Sequence, residues 1–387
     1  MGATATVGTA ATAAETAAPT TAGPATTAGN LPPTAEIAAE PLIGPPPLTV
    51  KLSGAGSSDP DGSVVEMRWD LGDGQTAVGA EVEHVYAGVG NYPTVLTVTD
   101  DAGASASAQV LVKVGGCPDY AAGAAQGSLD APAVVEASGL AISRRSPGVL
   151  WTHNDSEGAP RLYTATLKGA PLGVYTLQGA EVRDWEDMAL GPGPKPGGDY
   201  LYVGDIGDNL EQYPSITVYR VAEPPVDPAQ TGVVASLSGV EALVFTYPDG
   251  QPRNAETLLV DPPTGDLYVV SKRQDGVSGV FRAAAPLTAG PSALEQVATV
   301  DFGVGGLATG GAVATAGDWV VIRTYFGARM WPRAPAASLA QAFTGAGCPV
   351  PVVMEIQGEA IAFAAVGLDY FTTSEGATPT LYRYARQ

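Results

Sequence analysis

The chain has 387 residues, enough for two or three domains with real cores, and carries 19 basic against 40 acidic residues, a net charge of −21. That excess repels phosphate backbones and anionic lipid, so a nucleic-acid or membrane-surface partner is excluded as an expectation, while clustered carboxylates suit a hard cation such as calcium, or simply keep an exported protein soluble. With 49 Gly, 33 Pro and few helix-period stripes, the pattern is one of many short strands joined by turns: an all-β chain.

Residues 1–31 are almost wholly Ala, Thr, Gly and Pro, with Glu15 their one charge. Such a segment cannot bury a core and reads as a disordered stalk, glycosylated or plain. It lacks the basic start and apolar stretch of a secretory signal, and no run of about 18 apolar residues crosses a membrane anywhere in the chain.

From residue 32 to 114 the sequence changes. Leu48-Thr49-Val50-Lys51-Leu52 reads as a strand. Ser57-Ser58-Asp59-Pro60-Asp61-Gly62 is a turn cluster, and Arg68-Trp69-Asp70-Leu71-Gly72-Asp73-Gly74 a strand with one large aromatic. His84-Val85-Tyr86, Gly90-Asn91-Tyr92 and Leu96-Thr97-Val98-Thr99-Asp100 follow in order. Together these motifs resemble the PKD domain, which implies a small extracellular Ig-like β-sandwich acting as a spacer or adhesive module. Trp69 and Val98 should point inward, and Tyr86 and Tyr92 should pack. Asp59-Pro60-Asp61-Gly62 suits a turn, because Asx side chains bond their own backbone; the same Asp pair also offers oxygen ligands to calcium.

Residues 117–387 repeat. Opening strands recur at Ser138–Ile142, Glu186–Leu190, Glu256–Val260 and Glu359–Phe363, with a weaker copy at Gly311–Thr315. Each is followed by a second apolar strand, and third strands often end in an aromatic and a base, as in Val218-Tyr219-Arg220 and Val280-Phe281-Arg282. Four strands repeated at about fifty-residue spacing predict a β-propeller of about five blades, with room for a sixth, degenerate one within 221–310. The last unit stops after its third strand, so Ala131–Val135 is expected to supply the missing outer strand and close the ring. The two cysteines, Cys117 and Cys348, lie in Gly-Cys-Pro triplets; they form either a single disulfide, in an oxidising compartment, or two free thiols.

In a propeller the first strands line the central channel. Glu186, Glu256 and Glu359 occupy equivalent repeat positions, with Ser138 and Gly311 in the other two units. Carboxylates converging on one axis must bind a cation, pair with bases, share protons or stay hydrated. After the second strands come His153-Asn154-Asp155, Asp205-Ile206-Gly207-Asp208-Asn209, Lys272-Arg273, Arg323 and Ser374-Glu375, which would approach the same mouth. Calcium is expected from Asp155, Glu186, Asp205, Asp208, Asn209, Glu256 and Glu359; against this, Asp and Asn fix turns and glutamates pair with bases. His153, Asn154, Asp184, Trp185, Lys272, Arg323 and Glu375 are candidate ligand contacts. His153 is either a general base beside Asp155 or a structural imidazole, and Trp185 either stacks on a sugar or wedges between blades.

Glu136–Ala141, Asp184–Ala189 and Tyr202–Asp205 are loosely similar to bacterial propellers of the phytase-like esterase group, which would imply a calcium-supported fold and phosphoester or ester hydrolysis. No Ser-His-Asp order, nucleotide loop or zinc motif accompanies them. The leading expectation is an extracellular or cell-surface monomer in which a PKD spacer presents a propeller that recognises a glycan, peptide or protein. A calcium-dependent hydrolase and a structural envelope or matrix component are the alternatives.

Overall fold

In the computed structural model, residues 29–387 are described apart from 89, 132, 156, 157, 335 and 346. All but the last three residues of the expected stalk lie outside that range. Of those three, Asn30 donates to Asp100 Oδ2 and the Leu31 amide to Asp61, so this short stretch is tied to the sandwich that follows.

The sandwich packs a three-stranded sheet, ordered Ala38–Glu40, Leu48–Ser53, Glu81–Tyr86, on a five-stranded one, ordered Ile43–Gly44, Ser105–Val114, Gly90–Asp100, Val64–Asp70, Thr76–Val78. Leu48–Ser53 alternates buried and exposed residues, as a strand with one wet face must. Trp69, Leu52, Leu96 and Val98 fill the space between the sheets, and the Trp69 indole donates to Gly79 O at 2.9 Å. Tyr86 is buried with its hydroxyl on Leu71 O, and Tyr92 stacks on it.

The larger part forms five antiparallel sheets in a ring, a five-bladed propeller. From channel to rim, blade 1 is Ala137–Ile142, Val149–Asn154, Arg161–Thr166 and Pro171–Leu177; blade 2 is Trp185–Pro192, Asp199–Asp205, Ile216–Ala222 and Glu241–Thr246. Blade 3 is Ala255–Val260, Leu267–Ser271, Val277–Ala283 and Glu295–Asp301; blade 4 is Ala308–Val313, Trp319–Thr324, Gly327–Pro332 and Cys348–Val350. Blade 5 is Gly358–Phe363, Tyr370–Ser374, Thr380–Tyr384 and Ala124–Ser128. Each inner strand lies against the next, and that of blade 5 returns to that of blade 1.

Three sequence expectations change. The closing strand is Ala124–Ser128, antiparallel to Thr380–Tyr384, rather than Ala131–Val135. The latter turns the chain from rim to channel, with the Val134 amide on Ala131 O and the Val135 amide on Asn154. No sixth blade occurs among the described residues. The surplus length in 221–310 instead forms Val233–Leu237 and Ser292–Ala293, which add parallel fifth strands to blades 1 and 2. Both come from connections within the following blade and reach back, so they staple neighbours together. Lastly, the residue of blade 4 equivalent to the glutamates is Thr309, not Gly311, because its strand starts at Ala308.

The sandwich docks on the end of the ring opposite the start of the inner strands. Ile43 is buried among Ala314, Leu368 and Tyr370, and Lys113 pairs with Asp119 across the junction. Cys117, just past that junction, is disulfide-bonded to Cys348 in the rim strand of blade 4.

At the hub, inner strands approach so closely that a Cβ on Gly139 would lie 2.7 Å from Met188 N, and only glycine fits. Asp187 is fully buried here. Its Oδ1 accepts from Met188 N at 2.8 Å, and its Oδ2 accepts from Leu258 N at 2.9 Å and Gly311 N at 3.1 Å, joining blades 2, 3 and 4. Asp187→Ala would strand three buried donors, each costing about 1–3 kcal/mol. A fall in melting temperature of at least ~6 °C is expected, with Asp187→Asn, which keeps an acceptor, falling less.

Candidate functional site at the channel mouth

Every inner strand slips register at its start: between Ala137 and Leu140, Trp185 and Asp187, Ala255 and Thr257, Ala308 and Gly310, and Gly358 and Ala360. A bulge leaves one residue outside the ladder and re-aims its side chain. The residues so placed are Ser138, Glu186, Glu256, Thr309 and Glu359, which converge on the channel mouth. The glutamates are only 3–4% exposed.

Their environments differ. Glu256 is bound through both oxygens by Lys272 Nζ at 2.5 Å. Burial opposes the Lys272 charge, but Glu256 and the Tyr325 hydroxyl, 2.8 Å away, outweigh it and hold the ammonium above its ordinary range. Tyr325 in turn donates to Glu359 Oε1 at 3.3 Å, and Ser138 Oγ reaches Glu359 Oε2 at 3.3 Å. Burial, then the neighbouring Glu375 and Glu256, push Glu359 up to about 9. It therefore carries a proton at neutral pH and shares it with Glu375, which also accepts from Gln357 at 2.6 Å.

Glu186 has no such relief: among the described residues no donor reaches its carboxylate. It faces Asp155 and Asp184 instead, and one oxygen of each of the three lies within 4.8 Å of the others. Burial raises Glu186 well above the carboxylate range, and Glu256, Asp155, Asp184 and Glu359 add to it. Asp155 is pushed to about 8, first by burial and then by Asp184, and its Oδ1 is buried without a partner. The backbone closes over this group at Gly207, where a Cβ would lie 2.2 Å from Glu186 Oε1 and 2.5 Å from Asp184 Oδ2. Burial still holds Asp184 above its ordinary value, although Arg183 and a carboxyl contact with Asp155 ease it, and three such hard oxygen donors fit a calcium-type cation.

The remaining candidates lie elsewhere in the scaffold. Asp205 accepts from the Asp184 amide at 2.9 Å and lies near Arg183, so it positions the site from behind. Asp208 accepts from the Gln212 and Tyr213 amides and fixes its own turn, while Asn209 bonds Asn254, which bridges to Glu256. Asn154 pins residues 133–136. His153 is buried edge-on to Trp185 with Nδ1 on Asn154 O, and burial lowers it to about 4, so it stays neutral. Trp185 is buried in the core between blades 1 and 2, its indole on Glu181 O. Arg323 is fully buried, bonded to Ala360 O, Thr373 O and Glu355, and stitches blade 4 to blade 5. Tyr325, Asn254 and Asp187 were not among the sequence candidates; only the density of Asp184-Trp185-Glu186-Asp187 hinted at the last.

The sandwich has its own acidic group. The Asp59 carboxylate is screened from solvent, and burial together with the Asp61, Asp100 and Asp101 carboxylates raises its pKa against the opposing pull of the Asp61 backbone amide.

Residues 30–114 match the PKD domain family, and that segment is a PKD domain. It is similar to the pre-pro-metalloprotease PrtV of Vibrio cholerae, 47% identical over 58 residues, 15% of this chain and 6% of that protein. It is also similar to a microbial collagenase of Vibrio alginolyticus, 36% identical over 66 residues, 17% of this chain and 8% of that protein. The chain thus spans under a tenth of the length of these relatives. Among solved structures, the PKD1 domain of Vibrio cholerae PrtV is 37% identical, covers 22% of this chain and 98% of that one, and has a TM-score of 0.20. No helix among the described residues is long and apolar enough to cross a membrane. The chain is an all-β assembly of a PKD sandwich and a propeller, an architecture compatible with a binding or spacer role.

Because Asp155 and Glu359 have folded-state pKa values above their unfolded ones, the folded chain retains protons that the unfolded chain has lost. The stability this confers is full below about pH 4 and is lost as pH rises toward about 8 to 9. In chelator, the melting temperature should fall steadily between those limits. A flat or rising profile would show that these acids are not desolvated as described.

Proposed function

We propose that this chain is an exported binding module. Its PKD sandwich is a spacer, and its propeller holds calcium through Asp155, Asp184 and Glu186 while the mouth recognises an extracellular glycan, peptide or protein. The observation that carries this reading is Glu186, a carboxylate 3% exposed, set by its bulge against two other acids and served by no donor among the described residues. A buried anion without a counter-charge is costly, and a divalent cation removes the cost while the backbone of Gly207 shields it. Export is supported by the disulfide and the acidic composition.

Spacer geometry supports the presenting role. The sandwich grips the ring at Ala314 and Leu368, at the end away from the mouth, so the acids point outward from any attachment through the sandwich. Hydrolysis of phosphoesters calls for free cations at the mouth, yet Lys272 is neutralised by Glu256, Arg323 is buried, and Arg273 pairs with Asp275.

Two measurements test the reading. Calorimetric titration should show a calcium site that disappears in Glu186→Gln and Asp184→Asn; unchanged binding in both would overturn the assignment. In chelator, Glu186→Gln should melt higher than the parent, because it removes a buried acid that must otherwise take up a proton or bear an uncompensated charge, but gain nothing from calcium. Asp59→Asn separates any calcium held by the sandwich, whose loss should leave the propeller site intact.

A further inference from the structure

Four of the most exposed apolar side chains of the propeller lie on neighbouring loops, while others, such as Val234 and Val366, stand apart. Val304 (95% exposed) on the link from blade 3 to blade 4, Phe326 (70%) on a turn within blade 4, and Met354 (73%) and Ile356 (89%) on the link from blade 4 to blade 5 all sit at the mouth end. Local bonding explains why. Glu355 turns inward to Arg323 Nη2 at 2.6 Å, which leaves its neighbours Met354 and Ile356 facing out. Tyr325 likewise turns inward to Lys272 and Glu359, leaving Phe326 outside. Val304 and Phe326 line one groove of about 330 Å³, ample for a large apolar side chain. Single exposed apolar residues are ordinary, but a patch gathered beside a charged cleft marks an interaction surface.

Inboard of this patch lies strong negative charge. Among the described residues, Asp155, Asp184, Glu186, Glu256, Glu359 and Glu375 face the Lys272 ammonium and, at Asp184, the Arg183 guanidinium. A divalent cation on the first three leaves Glu359 and Glu375 with no base beside them among the described residues except Lys272, already paired with Glu256. The occupant must therefore bring positive charge as well as apolar surface. Glycans bring neither in quantity, whereas a polypeptide brings both.

Resting on the binding-module reading and specifying its partner, we infer that the face formed by Val304, Phe326, Met354 and Ile356, together with Glu359 and Glu375, docks a polypeptide segment in which a lysine or arginine is flanked by large apolar side chains. The base enters the mouth beside Glu359 and Glu375, while an apolar neighbour fills the groove. Complementary charge gives salt-sensitive association, and the buried apolar anchor supplies most of the affinity.

The test uses the full chain in calcium and three fluorescent synthetic peptides: one alternating Lys with Leu and Trp, one with Glu in place of Lys, and one with Ser in place of the apolar residues. Only the first should bind by anisotropy, and more weakly as salt is raised. Phe326→Ser with Ile356→Ser, and separately Glu375→Gln, should each weaken it by about tenfold or more, while the calcium titration of the double variant stays as in the parent. Equal binding of all three peptides, or parent-like binding by both variants, would overturn the inference. So would a dimer in light scattering that the double variant dissolves with no change in peptide binding, since the occupant would then be a second copy. If calcium fails to bind but the peptide result holds, the metal assignment falls and the docking surface stands.

Discussion

Five inner strands have to meet around one axis, and nearly every property of this molecule follows from that crowding. Strands that converge cannot all carry large side chains, so the hub is lined by Gly139, Gly310 and Gly311 and pinned by the buried Asp187 carboxylate accepting amides from blades 2, 3 and 4. Ring closure adds a second requirement, since the last blade lacks an outer strand until Ala124–Ser128 provides it. That strand lies between the sandwich and the first blade in sequence, so closure also draws the sandwich junction against the ring. The disulfide between Cys117 and Cys348 fastens the same region to blade 4.

Convergence also explains the chemistry. A bulge at the start of each inner strand throws the second residue into the mouth, and in three blades that residue is a glutamate. Three buried carboxylates at one hub cannot all stay charged and alone, and the structure resolves each differently. Glu256 takes an ion pair with Lys272, and Glu359 shares a proton with Glu375. Glu186, beside Asp155 and Asp184, has neither among the described residues, and that is the feature from which a cation site is proposed. A counter-charge, a shared proton and a bound cation are the three ways a desolvated acid can persist.

The arrangement divides labour between the ends of the ring. One end is closed by apolar packing against the sandwich through Ile43, which fixes orientation. The other carries the acids and a fringe of exposed apolar residues, held outward because their neighbours Glu355 and Tyr325 are committed inward. A docked end and an acidic end thus come from the same strands read in opposite directions.

Much of this was legible in the sequence. The PKD motifs stand in fixed order around Trp69, and strand alternation together with the recurrence of an acid before an apolar run gave the blades, because period and turn chemistry are local properties. The equivalence of Glu186, Glu256 and Glu359 was readable for the same reason. What tertiary structure alone decided was which residue meets which. Arg323 and His153 look like site residues in sequence but are buried structural groups. Asp205, Asp208 and Asn209 shape loops, whereas Asp184 joins Asp155 and Glu186. The inner strand of blade 4 starts at Ala308, so the bulge shared by every blade places Thr309 at the hub position. Local pattern fixes whether a residue lies in a strand or a turn; burial, register and charge partners depend on chain segments a hundred or more residues away, and those are set only when the ring closes.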